Sequence, residues 1–191
     1  RLLPEQLQDF RRTITDSQVV VTQLEIPSET VRYSLGQAKE CSKLTILNPA
    51  PALNLDDDLL SYVDLLIPNE TELEVLSGRP VRNETEIIEA AQVMIKRGIK
   101  ELIVTIGEKG CIYINERQHK SFAAYKVNPI DTTAAGDSFI GATAVALNEG
   151  KAIEEAISFA MAVAALTVTK KGAQSSLPYR HEVENLLKIQ S

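Results

Sequence analysis

Asp131-Thr132-Thr133-Ala134-Ala135-Gly136-Asp137-Ser138-Phe139-Ile140-Gly141 leads from a glycine-containing loop into an alanine-rich run that predicts a helix over Ala135 to Asn148. The first amides of a helix have no partner within it and together carry roughly half a positive charge. The N–H groups of Ala135, Gly136 and Asp137 can therefore point at an anion such as a phosphate, and Gly136 lets the backbone come close to it. The same field favours Asp137 as a carboxylate, which suits a base that orients a hydroxyl and takes its proton late in a loose phosphoryl-transfer transition state. The competing reading is an ordinary helix start with Asp131 or Thr133 at the cap.

Outward from this stretch the chain alternates. Upstream, Gln18 to Gln23 is a β-branched strand, and Pro27-Ser28 opens a helix whose Val31, Leu35 and Ala38 share one face. Lys43 to Leu47 and Asp64 to Ile67 are short strands, while Glu70 to Ser77 and Glu84 to Arg97 are helices stopped by Gly78 and Gly98. Leu102 to Ile106 is an apolar strand, and Cys111 to Ile114 with Ser121 to Val127 predict a hairpin about Asn115-Glu116. Downstream, Ala152 to Val168 is a second alanine-rich helix and a last amphipathic helix closes the chain. Such alternation predicts an α/β fold, with a mostly parallel sheet covered on both faces and an antiparallel addition from the hairpin. Ligands then bind at the carboxyl ends of the strands. No internal repeat or low-complexity linker interrupts the chain, so residues 1–191 are read as a single α/β domain.

A chain of 191 residues with 44% hydrophobic and 24% charged residues is ordinary for a soluble globular protein. The formal charge of −6 and the lack of a basic run argue against nucleic acid or an anionic membrane as partner and for a small ligand. Cys41 and Cys111 lack metal-ligand spacing and read as buried, reduced thiols of a cytoplasmic protein, with no disulfide. His119 and His181 are the only histidines, which excludes a multi-histidine metal site, and both are read as solvated. There is no signal peptide and no apolar run long enough to span a bilayer; the chain opens with Arg1 and not Met, leaving room for a start upstream.

Further motifs each carry a functional and a plain reading. Glu25 follows the first strong strand, where a carboxylate can accept hydrogen bonds from sugar hydroxyls or remain a solvated loop residue. Asn69-x-x-Glu72 has capping-box spacing at a helix start, as does Asn83-x-x-Glu86, which is read only as a cap. Thr105-Ile106-Gly107-Glu108-Lys109-Gly110 leaves a strand end with two glycines, suited to backbone approach by a nucleotide or to a plain turn. It fits neither the dinucleotide nor the Walker glycine pattern. Asp131 lies too far from Asp137 to share its proton; with the later loop Lys170-Lys171-Gly172-Ala173-Gln174-Ser175-Ser176 it can instead offer hard oxygens to a monovalent cation.

The run Asp131 to Gly141 resembles the carboxy-terminal signature of the ribokinase-like carbohydrate kinases. Asn48-Pro49-Ala50-Pro51, Asn69-Glu70-Thr71-Glu72, Thr105 to Gly110 and Gly172 to Pro178 resemble segments of the same family in its order and spacing. The resemblance implies a three-layer α/β sandwich that transfers the ATP γ-phosphoryl group to the 5-hydroxyl of D-ribose. It makes Asp137 the base and the Ala134, Ala135, Gly136 and Asp137 amides the anion hole. Gln23-Leu24-Glu25 resembles the sugar-binding segment, so Glu25 contacts the sugar. Asn69 and Glu72 order Mg²⁺ and its waters, in keeping with the water-rich coordination of that ion. Thr105, Ile106, Gly107, Glu108, Lys109 and Gly110 hold the ATP phosphates and ribose, and Met161 matches a position beside adenine that is polar in better-known members; a core methionine is the plain alternative. The positions matching the family's K⁺ site are the Asp131 side chain, the Thr133, Thr167, Lys170 and Gly172 carbonyls and the Ser176 hydroxyl. The chain departs from the family at its front, where the Gly-Gly and Gly-x-Asn sugar segments, the sugar-gripping acid and the β-lid that forms the family's homodimer have no match. A carboxy-terminal portion, weakly active or inactive alone, is therefore expected. A kinase of another sugar or nucleoside, or a noncatalytic nucleotide-binding fragment, is the alternative.

Overall fold

The computed structural model describes residues 2–7 and 11–189. Its elements in chain order are α1 (Pro4–Leu7), α2 (Arg11–Asp16), β1 (Val19–Thr22), α3 (Ser28–Glu40), β2 (Leu44–Leu47), α4 (Asp57–Ser61), β3 (Leu65–Leu66), α5 (Glu70–Ser77), α6 (Glu84–Lys96), β4 (Glu101–Thr105), β5 (Cys111–Asn115), β6 (His119–Phe122), α7 (Ala135–Asn148), α8 (Ile153–Thr167) and α9 (Arg180–Ile189). Packing groups them into two compact units, residues 1–106 with 111–121 and residues 107–110 with 122–191. The sequence reading takes residues 1–191 as one domain; the packing divides them at the turn after β4 and at the end of β6.

The sheet runs β1-β2-β3-β4-β5-β6. It is parallel from β1 to β4 and antiparallel between β4 and β5, as the alternation predicts. Right-handed crossovers that step one way across a sheet place every connecting helix on one face. One apolar cluster accordingly joins Leu35 of α3, Leu60 of α4, Leu73 of α5 and Met94 of α6 to Leu47, Leu66, Leu102 and Ile112 of the strands. Ile46, Leu65, Ile103 and Tyr113, which alternate with these along the strands, are buried too, and that is why the strands read as unbroken apolar runs. In the second unit α7 packs along α8, and α9 packs on α8. Ala142, Ala146, Ala156 and Ala160 are all buried there, small enough to let helices approach closely.

Local chemistry sets the boundaries. Asn69 caps α5 through a complete capping box, and Gly78 ends it with a left-handed φ of 63°. Asn83 caps α6 by accepting the Glu86 amide at 3.0 Å. The hairpin departs from expectation: its second strand is His119–Phe122, not Ser121 to Val127. The Asn115 side chain accepts the Arg117 and Gln118 amides, both at 2.9 Å, which tightens the turn and brings pairing forward. Helix α4 was not anticipated; Asp56 caps it by accepting the Leu59 amide at 2.8 Å. Cys41 is half-buried and Cys111 buried, both free thiols, and burial pushes the Cys111 thiol up to about 12. Both histidines are exposed as expected. Among the described residues no helix is long and apolar enough to cross a membrane.

At the amino-terminal ends of β2 and β3, Asp64 accepts Lys39 Nζ at 2.5 Å and the Thr45 hydroxyl at 3.0 Å, with Lys100 Nζ at 3.4 Å. Burial raises its carboxyl, but the Lys39 and Thr45 bonds outweigh it and hold the group below its usual value. Such a depressed carboxylate contributes stability that is present above the unfolded value of about 3.9 and lost as pH falls through the folded one. Asp64→Asn should therefore cost up to about 1 kcal/mol at pH 7, because the pair is partly screened. Urea unfolding at pH 7 and near pH 3 checks this: the difference between parent and variant should shrink in acid.

Candidate active site

In the first unit, the parallel register brings the carboxyl ends of β2, β3 and β4 to one edge. Asn69 bridges to Thr105, and the Thr105 amide donates to the Pro68 carbonyl at 3.0 Å. Glu72 reaches back from the first turn of α5, where its Oε2 accepts the Asn69 amide at 2.8 Å and its Oε1 accepts Asn69 Nδ2 at 2.9 Å. Glu72 is only 7% exposed. Burial pushes its carboxyl up, against the lowering by the Asn69 amide. Asn48, at the end of β2, donates to the Ile67 carbonyl at 3.0 Å and lies 3.5 Å from Glu72 Oε2. In the sequence Asn48 stands only within a family-like segment, Asn48-Pro49-Ala50-Pro51. Its link to Glu72 spans 24 positions, which no local pattern announces. Glu25 stands exposed beyond β1, near where the Leu24 amide donates to Ala50 at 2.7 Å.

In the second unit, helix α7 starts without a side-chain cap, and its N-cap residue Ala134 takes a left-handed φ of 60°. The plain capped-helix reading fails here, because Asp131 is committed elsewhere. Its carboxylate accepts the Thr133 amide and the Gly172 amide, both at 3.0 Å. The Gly172 amide, then the Thr133 hydroxyl and amide, hold the Asp131 carboxyl down at about 2. The anion-hole expectation also needs narrowing: the Ala135 amide turns back to the Thr132 carbonyl at 3.3 Å. Gly136 and Asp137, the next residues of α7, carry amides to which the helix supplies no acceptor. Asp137 itself is exposed. It lines, with Ala134, a cleft of about 550 Å³ whose walls include Gly141, Phe159, Val163 and Arg180.

The Asp131–Gly172 bond draws the loop after α8 onto the loop before α7, and the Ile130 amide adds a second tie to Val168 at 2.7 Å. The Thr167 carbonyl accepts the Lys170 amide at 3.2 Å, and the buried Ser176 hydroxyl donates to Ala173 at 2.7 Å. A carbonyl or hydroxyl oxygen keeps a lone pair after one such bond. The expected monovalent-cation donors thus include a carboxylate and hard, neutral oxygens on adjoining loops, a set that fits K⁺. Met161 is buried in α8, at 7% exposure.

The model of the pfkB family carbohydrate kinases matches residues 4–180. The chain belongs to the pfkB family of carbohydrate kinases. A ribokinase of Staphylococcus aureus is 41% identical over 186 residues, covering 97% of this chain and 61% of the relative. A deoxyribokinase of Salmonella typhi is 38% identical over 189 residues, covering 98% of this chain and 62% of the relative. A solved structure of Arabidopsis thaliana ribokinase complexed with ribose and ATP matches with a TM-score of 0.91 at 34% identity, over 94% of this chain and 59% of that one. The fold is therefore the ribokinase-like α/β fold, and the chain spans about three fifths of the length of these relatives.

For this pfkB-family chain, the two glycines of the turn Thr105 to Gly110 separate by their surroundings. Gly110 has φ 112°, and a Cβ there would sit 1.9 Å from the Phe122 carbonyl oxygen, so backbone packing alone demands glycine. Gly107 has φ 53° and open space around it, where a ligand can approach the backbone. Gly107→Ala should cost about 1–2 kcal/mol of left-handed strain and still fold. Gly110→Ala should cost clearly more or fail to fold. Thermal unfolding of the two variants measures the contrast; equal losses would show that Gly110 is not held by the Phe122 backbone.

Proposed function

We propose that this site belongs to a ribokinase-type enzyme, which transfers the γ-phosphoryl group of ATP to the 5-hydroxyl of D-ribose. The observation that carries the reading is the start of α7, with unaccepted amides at Gly136 and Asp137 beside an exposed Asp137 carboxylate. Amides with no acceptor hold an anion, and they are in place before charge develops, so they need no rearrangement in the transition state. The Asp137 carboxylate orients the attacking hydroxyl and takes its proton as the new bond to phosphorus forms and the bond to the bridging oxygen of ADP breaks. Glu25 is the proposed sugar contact. Thr105 to Gly110 and Met161 are the proposed nucleotide contacts, with Gly107 giving the open approach.

Asn69 and Glu72 would hold Mg²⁺ through its waters, which suits a carboxylate whose oxygens already accept amide bonds. The ion supplies charge neutralisation on the phosphates when bound. The oxygens of Asp131, Thr133, Thr167, Lys170, Gly172 and Ser176 would hold K⁺, steadying the loop that precedes the anion hole. A cytoplasmic enzyme, a homodimer in its complete form, and neither nucleic acid nor membrane as partner belong to the same reading. Transfer to another sugar or nucleoside is the second reading, favoured by the deoxyribokinase of comparable identity. Parallel rates with ribose and deoxyribose, using labelled ATP and separation of the sugar phosphates, distinguish the two.

In the complete chain, Asp137→Asn should lower kcat by several decades and leave ATP affinity within a small factor, because the base is lost while the helix amides remain. Steady-state kinetics alongside calorimetric ATP binding check it, and near-normal kcat would remove Asp137 from the mechanism. K⁺ should raise activity or nucleotide affinity more than Na⁺ or Li⁺, and Asp131→Ala should erase that preference. Equal responses of the complete enzyme to the three salts would sink the cation assignment.

A further inference from the structure

The Asn48 side chain is given no part in the proposed mechanism, yet it touches the buried Glu72 carboxylate of the first unit. Its Nδ2 donates to the Ile67 carbonyl at 3.0 Å, two residues before Asn69, and its second N–H faces Glu72 Oε2 at 3.5 Å. The residue is itself pinned, since its backbone amide donates to the Thr22 carbonyl at 2.9 Å and Pro49 restricts its conformation. Asn48 therefore braces both ends of the Asn69–Glu72 box from a neighbouring strand.

An ionised carboxylate offers about four acceptor sites, two on each oxygen. On Glu72 the Asn69 amide and Asn48 Nδ2 occupy Oε2, and Asn69 Nδ2 occupies one site of Oε1. A single lone pair on Oε1 remains open. At 3.5 Å the Asn48 contact is weak as a bond, but it places a second donor beside Oε2, which disfavours a cation bound by both oxygens.

We propose that Asn48 is a positioning residue, which holds the Glu72 carboxylate in its back-bonded orientation and leaves it one open lone pair, on Oε1, for a divalent cation or for a water bound to it. This rests on the reading of Glu72 as part of the Mg²⁺ site. Without Asn48, the carboxylate can turn and the loop at Ile67 loses its tie, so the cation site loosens while the nucleotide contacts elsewhere stay intact. Loss of a group that orients a metal contact typically costs about 10–100-fold in metal affinity.

The test is calorimetric binding of a non-hydrolysable ATP analogue to the 191-residue chain, first in chelator and then at increasing free Mg²⁺. Asn48→Ala should raise the Mg²⁺ concentration for half of the affinity gain about tenfold, and leave affinity in chelator within about twofold. A loss of equal size in chelator would mean general disruption and overturn the proposal, as would an unchanged Mg²⁺ requirement. If Asn48→Ala does not fold by thermal unfolding, Asn48→Ser is judged by the same two constants. Glu72→Gln separates the positioning role of Asn48 from the Mg²⁺ reading of Glu72. If it raises the Mg²⁺ requirement while the Asn48 variants do not, only the positioning role fails; if it has no effect, or if Mg²⁺ does not alter binding to the parent, the reading of Glu72 fails with it. In the double variant Asn48→Ala with Glu72→Gln, the requirement should equal that of Glu72→Gln alone, since Asn48 acts through the carboxylate.

Discussion

Parallel pairing of β1 through β4 is the constraint on which the rest of the first unit depends. A parallel pair cannot close with a tight turn, so each strand must be followed by a crossover, and every strand ends at the same edge. That edge gathers the chain segments that carry Asn48, Asn69 and Thr105 from positions far apart in sequence. The two-residue pairing of β3 is short, and it is extended in two ways: the Asn48 side chain donates to the Ile67 carbonyl, and the backbone of Asn69 bridges to Thr105 just beyond it. The residues that splice the sheet at this edge are thus the polar ones available to a ligand.

The second unit solves a different problem. A helix start normally satisfies its amides with a Ser, Thr, Asp or Asn side chain. Here the chain has Asp131 and Thr133 close by and uses neither in that way. Asp131 is turned onto Thr133 and Gly172, which joins two loops at the cost of the cap, and Ala134 adopts a left-handed conformation without the freedom of glycine. Such local departure from stability rules is the kind expected where a protein reserves groups for a ligand.

Much of this was legible in the sequence because its causes are local. Helices α5 and α7 fall on the expected residues, since the Asn69 box and the alanine run lie within the helices' own segments. The second hairpin strand was misplaced because the Asn115 turn closes through side-chain bonds that the apolar pattern does not encode. Helix α4 is hard to read from sequence because its five residues give too little periodicity, although Asp56 before Leu59 and Leu60 is a cap signal. The Asp131–Gly172 bond spans 41 positions, and no local pattern places its two loops together; oxygen chemistry suggests the pairing and the resemblance of both segments supports it. The commitment of the Ala135 amide to Thr132 and the brace of Asn48 on Glu72 were not readable, for both depend on backbone turns and tertiary placement.

The contrast between the two cysteines has a practical side. Thiolate is the nucleophilic form of cysteine, and the Cys111 thiol, enclosed in β5 and raised to about 12, supplies almost none at neutral pH. Cys41, half-buried just past α3, is left as the group that a maleimide dye can reach. The native chain thus carries a near single-site attachment point on the first unit, close to the amino-terminal ends of the strands and away from the ligand edge. Fluorescence from that position would report on unfolding of the sheet without any engineered residue.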